Sequence, residues 1–453
     1  MPRMTAGPGQ TDPAAPGPAP LSAPRPGGLV LSPFRALRFD PAVAGDLADL
    51  TSAPYDVLDD DDVADLEARS DTNVVRLILP RDAPGGIDRY QRAAALLEQW
   101  RSDGVLRPDP QPALYVYEQA DPETGHVQRG LLGALALSPA EDGIVLPHES
   151  TMAGPVADRL ALYTAVGADL EPIFLVYDGG GAATRAVAEV DAGAGPLVDA
   201  VLADGLRHRL WALTDPALLQ AIAADLHERK ALIADGHHRY ATYLRRQADH
   251  HAAGDGEGPW DAGLCLLVDA TAFGPEVHPI HRVVPGQSVA HLAERAAEGA
   301  AVRRLEGSLD EALAELEAAR RAGGPAFVLS AGDDGPDVER YLVAEVDPGR
   351  LTQTLPPERS PAWRELDVAV LHAFLVPELW QLSDDEGTVG FEHDVDAALR
   401  AAAAGNGTAV LLGPTPVEAV AAVAAAGERM PRKSTLFTPK PRTGVVLRDH
   451  RDA

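Results

Sequence analysis

The run Asp235-Gly236-His237-His238-Arg239 sets a carboxylate, a flexible backbone position and three consecutive polar side chains next to one another. A short apolar stretch, 231–234, leads into it. A helical pattern with Tyr240, Tyr243 and Leu244 on one side follows, over 236–248. A strand that turns through glycine into a helix exposes free backbone N–H groups at the positive end of the helix dipole. Two histidines and an arginine are poor partners for that end, because cations belong at the other one. A bound anion such as phosphate accounts for their placement. From composition alone, a helix start capped by Asp235 with solvated histidines accounts for it equally well.

Four further segments offer chemistry. In 146–151, Glu149 beside His148 in a polar loop suits a general base or a metal ligand, and a loop that only caps the next helix is the plainer reading. In 278–282, His281 and Arg282 follow an apolar strand and suit a phosphate, a metal or a solvated loop. In 430–440, Arg432, Lys433 and the hydroxyls of Ser434 and Thr435 suit phosphate, against the alternative of a merely soluble tail. Only three lysines occur in the chain, and two of them, Lys433 and Lys440, lie here. Ala53-Pro54-Tyr55-Asp56 carries an aromatic and an acid on a rigid stretch that reads locally as a simple turn. No Walker-type phosphate loop, G-x-G-x-x-G after a strand, H-E-x-x-H or C-x-x-C occurs.

The elements that must position these residues follow from pattern. Residues 89–101 read as an amphipathic helix, and 114–118 with 129–137 as strands around a turn at 122–125. Helices are expected over 156–165, 216–228, 309–321, 368–374 and 417–426. Strands are expected over 74–79, 172–177, 209–213, 264–269 and 410–412. The mixture predicts an α+β (mixed α/β) fold, with mixed sheets and flanking helices. The expected organisation is a disordered Pro/Gly-rich tail over 1–28, an N-terminal α/β region over 29–143, a central region over 144–290, and a C-terminal α/β region over 291–453.

The 453 residues are 45% hydrophobic and carry a formal net charge of −29. That charge argues against broad contact with nucleic acid or anionic lipid. No apolar run of about 18 residues occurs, so no membrane span is expected, and no apolar h-region marks a secretory signal. Cys265, the one cysteine, sits in an apolar stretch and reads as a structural thiol in a reducing cytoplasm.

Taken together, the segments at 52–57, 73–80, 115–119, 146–151 with 158–160, 234–240, 278–282 and 430–440 resemble domain of unknown function family 1015, in order and over nearly the whole chain. Asp235–Arg239 also resembles the phosphate-binding segment of the ParB-like and sulfiredoxin-like superfamily, which includes free-serine kinases, and Pro147-His148-Glu149 resembles the kinases' base segment. The resemblance implies one ParB/sulfiredoxin-like part, a nucleoside di- or triphosphate as cofactor, and a small hydroxylated metabolite, serine or a relative, as partner. On this reading Glu149, Asp235 and His238 are catalytic, with Asp235 orienting the loop or holding Mg²⁺. Gly236, His237, Arg239, Arg282, Arg432, Lys433 and Ser434 hold the nucleotide, and Tyr55, Asp56, His148 and His281 face the substrate. Two alternatives stay open: a metal-dependent hydrolase using His148, Glu149, His237, His238 and His281, and a non-catalytic nucleotide-binding regulator.

Overall fold

The computed structural model describes residues 25–452, apart from 83–85, 194, 333–334, 336–337 and 386. Most of the expected tail, 1–24, therefore lies outside the described residues.

Nine strands share one sheet: β1 (Leu31–Ser32), β2 (Leu114–Ala120), β3 (Val127–Ala136), β4 (Val145–Leu146), β5 (Ile173–Tyr177), β6 (Val198–Val201), β7 (Arg207–Leu213), β8 (Ala231–Asp235) and β9 (Ala262–Asp269). Their order is β4-β8-β5-β9-β3-β2-β7-β6, with β1 against the end of β3. β8 runs parallel to β4, and β9 parallel to β5; the other pairs are antiparallel. The mixed α/β expectation therefore holds. The sheet draws strands from both sides of residue 143.

Side chains alternate across a strand, so each face of this sheet selects its own partners. Leu114, Val116, Leu175, Ile233, Cys265 and Leu267 pack with Leu97 and Trp100 of α1 (Arg89–Ser102), Leu162 and Tyr163 of α2 (Ala153–Val166), and Tyr240 and Tyr243 of α3 (His237–Ala253). The opposite face, with Phe174, Val176, Leu232, Leu264 and Leu266, joins a core that also holds Phe327, Leu329, Val343 and Val410. Burial on both faces is why 231–234 and 264–268 read as continuous apolar runs.

A second, six-stranded antiparallel sheet contains β10 (His281–Val284), β11 (Ala301–Leu305), β12 (Phe327–Ser330), β13 (Arg340–Ala344), β14 (Gly390–Glu392) and β15 (Thr408–Leu411), in the order β11-β13-β12-β15-β10-β14. Its other face is covered by α4 (Leu309–Ala322) and α5 (Val395–Ala404). The chain then returns to the first sheet. Leu436–Thr438 pairs with Glu276–His278, Thr443 bridges to Ser52, Leu447 to Leu37, and Arg448–Asp449 pairs with Ala168–Asp169. Among the described residues no helix is long and apolar enough to cross a membrane.

One local expectation is corrected. Residues 74–79 do not form a strand; Val75–Ile78 is a single helical turn. The Asn73 side chain accepts from Val75 N at 2.8 Å and donates to the Asp49 carbonyl at 2.7 Å, which starts the turn. Val74, Val75, Leu77 and Ile78 are all fully buried and Arg76 is the one polar residue among 74–79, too little from which to read a period.

The returning segment is fixed by a buried carboxylate. Asp169 meets Arg246 of α3 at 2.9 Å, Arg448 at 2.8 Å and His450 at 3.1 Å, and accepts from Leu264 N at 3.1 Å. Burial pushes its carboxyl up, but Arg246, His450 and Arg448 outweigh it and hold the group well below the usual carboxylate range. A depressed pKa contributes stability that is present above the unfolded value of about 3.9 and is lost as pH falls below it. Asp169→Ala strands these cations, and the expected loss is about 3–5 kcal/mol. Urea unfolding at pH 7 reads it, and the difference from the parent narrows as pH falls below 4.

Candidate functional site

β8 ends at Asp235, and the chain swings into α3 through Gly236 at φ 93°. Glycine is required here twice over. The left-handed backbone disfavours a side chain, and a Cβ would lie 3.1 Å from Arg239 Nε. The helix start has no side-chain cap. Asp235 is instead held by its own helix and by the far end of the chain: Arg239 Nη2 donates to one oxygen, and Lys440 Nζ lies 2.6 Å from the other. Burial raises the Asp235 carboxyl, but Arg239 and Lys440 reverse that and hold it below its ordinary value. Arg239 is itself buried and donates to the Pro172 carbonyl at 2.5 Å.

The loop after β4 is tied to the same helix start. His148 N donates to His237 Nε2 at 3.2 Å, and Met152 N to His238 Nε2 at 3.0 Å. Both Nε2 atoms are acceptors, so in the neutral rings the proton sits on Nδ1. The His148 and His237 rings meet edge to face at 4.6 Å. Burial drives the His148 pKa down to about 4 and that of His237 well below its ordinary value; His238 is lowered in the same way. These rings are neutral at pH 7 and add no positive charge to the site.

Glu149 shifts the opposite way from Asp235. Its side chain is 37% exposed, its Oε2 lies 3.5 Å from His237 Nδ1, and burial followed by repulsion from Asp235 raises its pKa, against Lys433 and Lys440. It lines a 340 Å³ cleft together with Pro147, Ile233, Tyr240, Leu244 and Arg429. The Arg429 guanidinium is fixed by Nη1, which donates to the Pro147 carbonyl at 2.9 Å.

The basic segment packs on both loops. Met430 N donates to the His148 carbonyl at 2.8 Å, and Thr435 Oγ1 lies 3.0 Å from His148 Nε2. Lys433 takes a left-handed φ of 52° with its side chain exposed, and it makes no ion pair among the described residues. Its carbonyl accepts from Arg282 Nη2 at 2.9 Å. Tyr55 N donates to Glu171 Oε1 at 3.0 Å, the Arg159 guanidinium lies 4.3 Å over the Tyr55 ring, and Asp56 Oδ2 is 3.8 Å from Lys440. Burial lifts the Tyr55 hydroxyl to about 12, so it stays protonated.

The structure thus gathers Tyr55, Asp56, His148, Glu149, Asp235, Gly236, His237, His238, Arg239 and Lys433 around one region. Four expected contributors serve its frame instead. Arg282 is fully buried, with Nε on His372 Nε2 at 2.8 Å and Nη1 on the Ile280 carbonyl at 2.5 Å, and burial lowers its pKa to about 9. His281 Nδ1 accepts from Leu412 N at 3.2 Å. Ser434 is buried and donates to the Pro431 carbonyl at 2.5 Å, and Arg432 pairs with Asp384 at 3.2 Å beside the Phe391 ring. Sequence reasoning passed over Lys440, Arg429, Glu171 and Arg159. For Lys440 the signal was there, in the scarcity of lysine, and Arg159 lies in the segment 158–160; for Arg429 and Glu171 nothing local marked them.

Two ion sites can be tested on these contacts. Asp235 does not fit Mg²⁺, because a divalent ion would face Arg239 and Lys440 across the same carboxylate. His148, Glu149 and His237 bring one ligand atom each within 4.8 Å of one another, a nitrogen-rich set that suits a transition metal better than Mg²⁺.

Fold and site together define an α/β protein in which a carboxylate with a raised pKa lies near uncompensated cations. The chain belongs to the family described as protein of unknown function (DUF1015), which matches residues 31–369. No curated protein matches it. Among solved structures, a free serine kinase mutant in complex with ADP is similar at TM-score 0.32 and 15% identity, over 65% of this chain and 84% of that one. SbnI with C-terminal truncation, from Staphylococcus aureus, gives 0.33 and 11%, over 70% and 86%. A conserved hypothetical protein from Pyrococcus furiosus gives 0.32 and 14%, over 72% and 98%. Likenesses this distant carry no argument about activity.

The Gly236 turn is directly testable. Gly236→Ala is expected to cost about 1–2 kcal/mol from the left-handed backbone alone, with more if Arg239 is displaced. Chemical denaturation measures the loss, and an unchanged midpoint contradicts the geometry described.

Proposed function

We propose that the site transfers a phosphoryl group from a nucleoside di- or triphosphate to the hydroxyl of a small metabolite. The observation that carries this reading is Glu149: a half-buried carboxylate with a raised pKa, open to a 340 Å³ cleft and within the field of Lys433 and Lys440. Phosphoryl transfer is mainly positioning and charge stabilisation, and it needs an acceptor base beside cations that face the phosphate. In an acidic chain, a cation without a matching anion among the described residues, here Lys433, is what a polyphosphate would recognise. The uncapped start of α3 adds backbone N–H donors of the same polarity. The resemblance of Pro147-His148-Glu149 and Asp235–Arg239 to the kinase segments points the same way.

In the proposed step the acceptor hydroxyl oxygen bonds to the terminal phosphorus, and the bond from that phosphorus to the donor's bridging oxygen breaks. The hydroxyl proton passes to Glu149 and then to water, and the donor leaves one phosphate shorter. Lys433 offsets charge on the transferring group. Asp235, saturated by Arg239 and Lys440, holds the loop in register, and neutral His237 orients Glu149. No step is assigned to Mg²⁺.

The test is turnover with ATP and ADP across a panel of small hydroxyl compounds that includes L-serine. Glu149→Gln is expected to lower kcat by about 10²- to 10⁴-fold with little change in KM. The base works ionised, so activity is present above its pKa and falls as pH drops through it. Because that pKa is raised, the acid limb lies above the ordinary glutamate range, and it disappears in Glu149→Gln. Full turnover in that variant ends the assignment. Nucleotide binding without turnover on any acceptor selects a regulator instead.

A second reading is favoured by the His148, Glu149 and His237 cluster: a metal-dependent hydrolase. Stoichiometric zinc, manganese or iron in the purified protein selects it. Of the further ligands such a site would recruit, His238 has its Nε2 on Met152 N and His281 belongs to β10, which leaves the set at three.

A further inference from the structure

We propose that Arg429 recognises the acceptor and that the acceptor is a small hydroxy acid, its carboxylate on Arg429 and its hydroxyl facing Glu149. This deepens the phosphotransferase reading and rests on it for the role of Glu149.

Arg429 is half-buried, lines the 340 Å³ cleft and has no acidic partner among the described residues. That sets it apart from the arginines of α2 and α3 and from Arg448. Arg239 has Asp235, Arg159 has Asp158, and Arg246 and Arg448 have Asp169. A desolvated cation without a counter-ion strongly favours any anion that enters, and burial does pull its pKa below the arginine norm. Its orientation is set on one side only. Nη1 donates to the Pro147 carbonyl at 2.9 Å and more weakly to the Glu428 carbonyl at 3.5 Å, while Nε and Nη2 make no hydrogen bond among the described residues. A guanidinium edge left open in this way matches a carboxylate, which can accept two parallel N–H bonds.

The rest of the cleft limits what the anion can be attached to. Pro147, Ile233, Ala241 and Leu244 make an apolar wall. Tyr240 presents only its ring, because its hydroxyl donates to the Ser138 carbonyl at 2.6 Å. The volume lies at the small end for a metabolite site, where about 300–1,000 Å³ is usual. Glu149 and the Pro147 carbonyl that fixes Arg429 are two residues apart, a span of at most about 7 Å along the chain. The two poles therefore suit a compact compound that carries both a carboxylate and a hydroxyl. Nucleotide phosphates have the Lys433 side of Glu149.

The test compares binding of L-serine and glycerate with that of ethanolamine and glycerol, by calorimetry on the full chain in the presence of ADP. Either acid is expected to bind more tightly than its uncharged-end counterpart. Arg429→Gln is expected to weaken acid binding by about 10- to 100-fold, the loss typical of a hydrogen bond to a charged group. ADP affinity stays unchanged, and Arg429→Lys recovers part of the loss. Thermal unfolding of both variants shows that the loop still folds. The inference is overturned if the acids and their neutral counterparts bind alike, if Arg429→Gln weakens ADP rather than the acid, or if only neutral hydroxyl compounds are phosphorylated. Arg429-dependent acid binding without phosphoryl transfer sustains the recognition role and instead removes Glu149 as a phosphotransferase base, so the two failures are told apart.

Discussion

A carboxylate that ends a buried strand must be neutralised inside the protein, and the way Asp235 is neutralised sets the plan of the site. Arg239, one helical turn on, locks α3 to the end of β8, and Lys440 brings a segment two hundred residues away onto the other oxygen. Removing either cation leaves charge uncompensated in a low-dielectric setting, which is why such pairs fix geometry even when they add little net stability. With Asp235 held ionised, the neighbouring Glu149 feels both desolvation and its charge, and its pKa moves the opposite way. The two nearby carboxyls thus meet environments that separate their pKa values.

The histidines follow from the same constraint. His148 and His237 are too buried to carry charge beside Arg239 and Arg429, so they act as neutral struts, each accepting or donating one defined bond. The positive character of the site comes instead from lysine and arginine. Arg282 supports that character at one remove. It is buried in the second sheet and holds the Lys433 carbonyl, and it is backed in turn by His372, which meets Asp384.

Much of this was legible in the sequence, for reasons that differ by residue. The fold class came from alternation and helical spacing, which survive wherever an element has one wet face. The turn at 75–78 was misread because Arg76 alone gives too little of one. The strand–glycine–helix at 231–237 was legible because Gly236 has no other residue type that would serve there. Which residues would pair with which was not. Spacing alone cannot say that Lys440 seeks Asp235, that Arg282 faces inward, or that a magnesium ligand by composition is already saturated by cations. Lysine's rarity pointed to the right segment, yet only tertiary contact separates Lys433, which is exposed, from Lys440, which is committed.

The return of residues 436–449 to the first sheet has a consequence for how the protein comes into being. During synthesis, β8, α3 and the loop carrying Glu149 emerge while the downstream cations that complete them are still unmade. A chain elongated through Ala426 holds both core sheets and yet lacks Arg429, Lys433, Lys440 and Arg448. The site is therefore assembled last, by contacts of very long sequence separation, the kind that close slowly. Until then Asp169 and Asp235 lack part of their cationic shell.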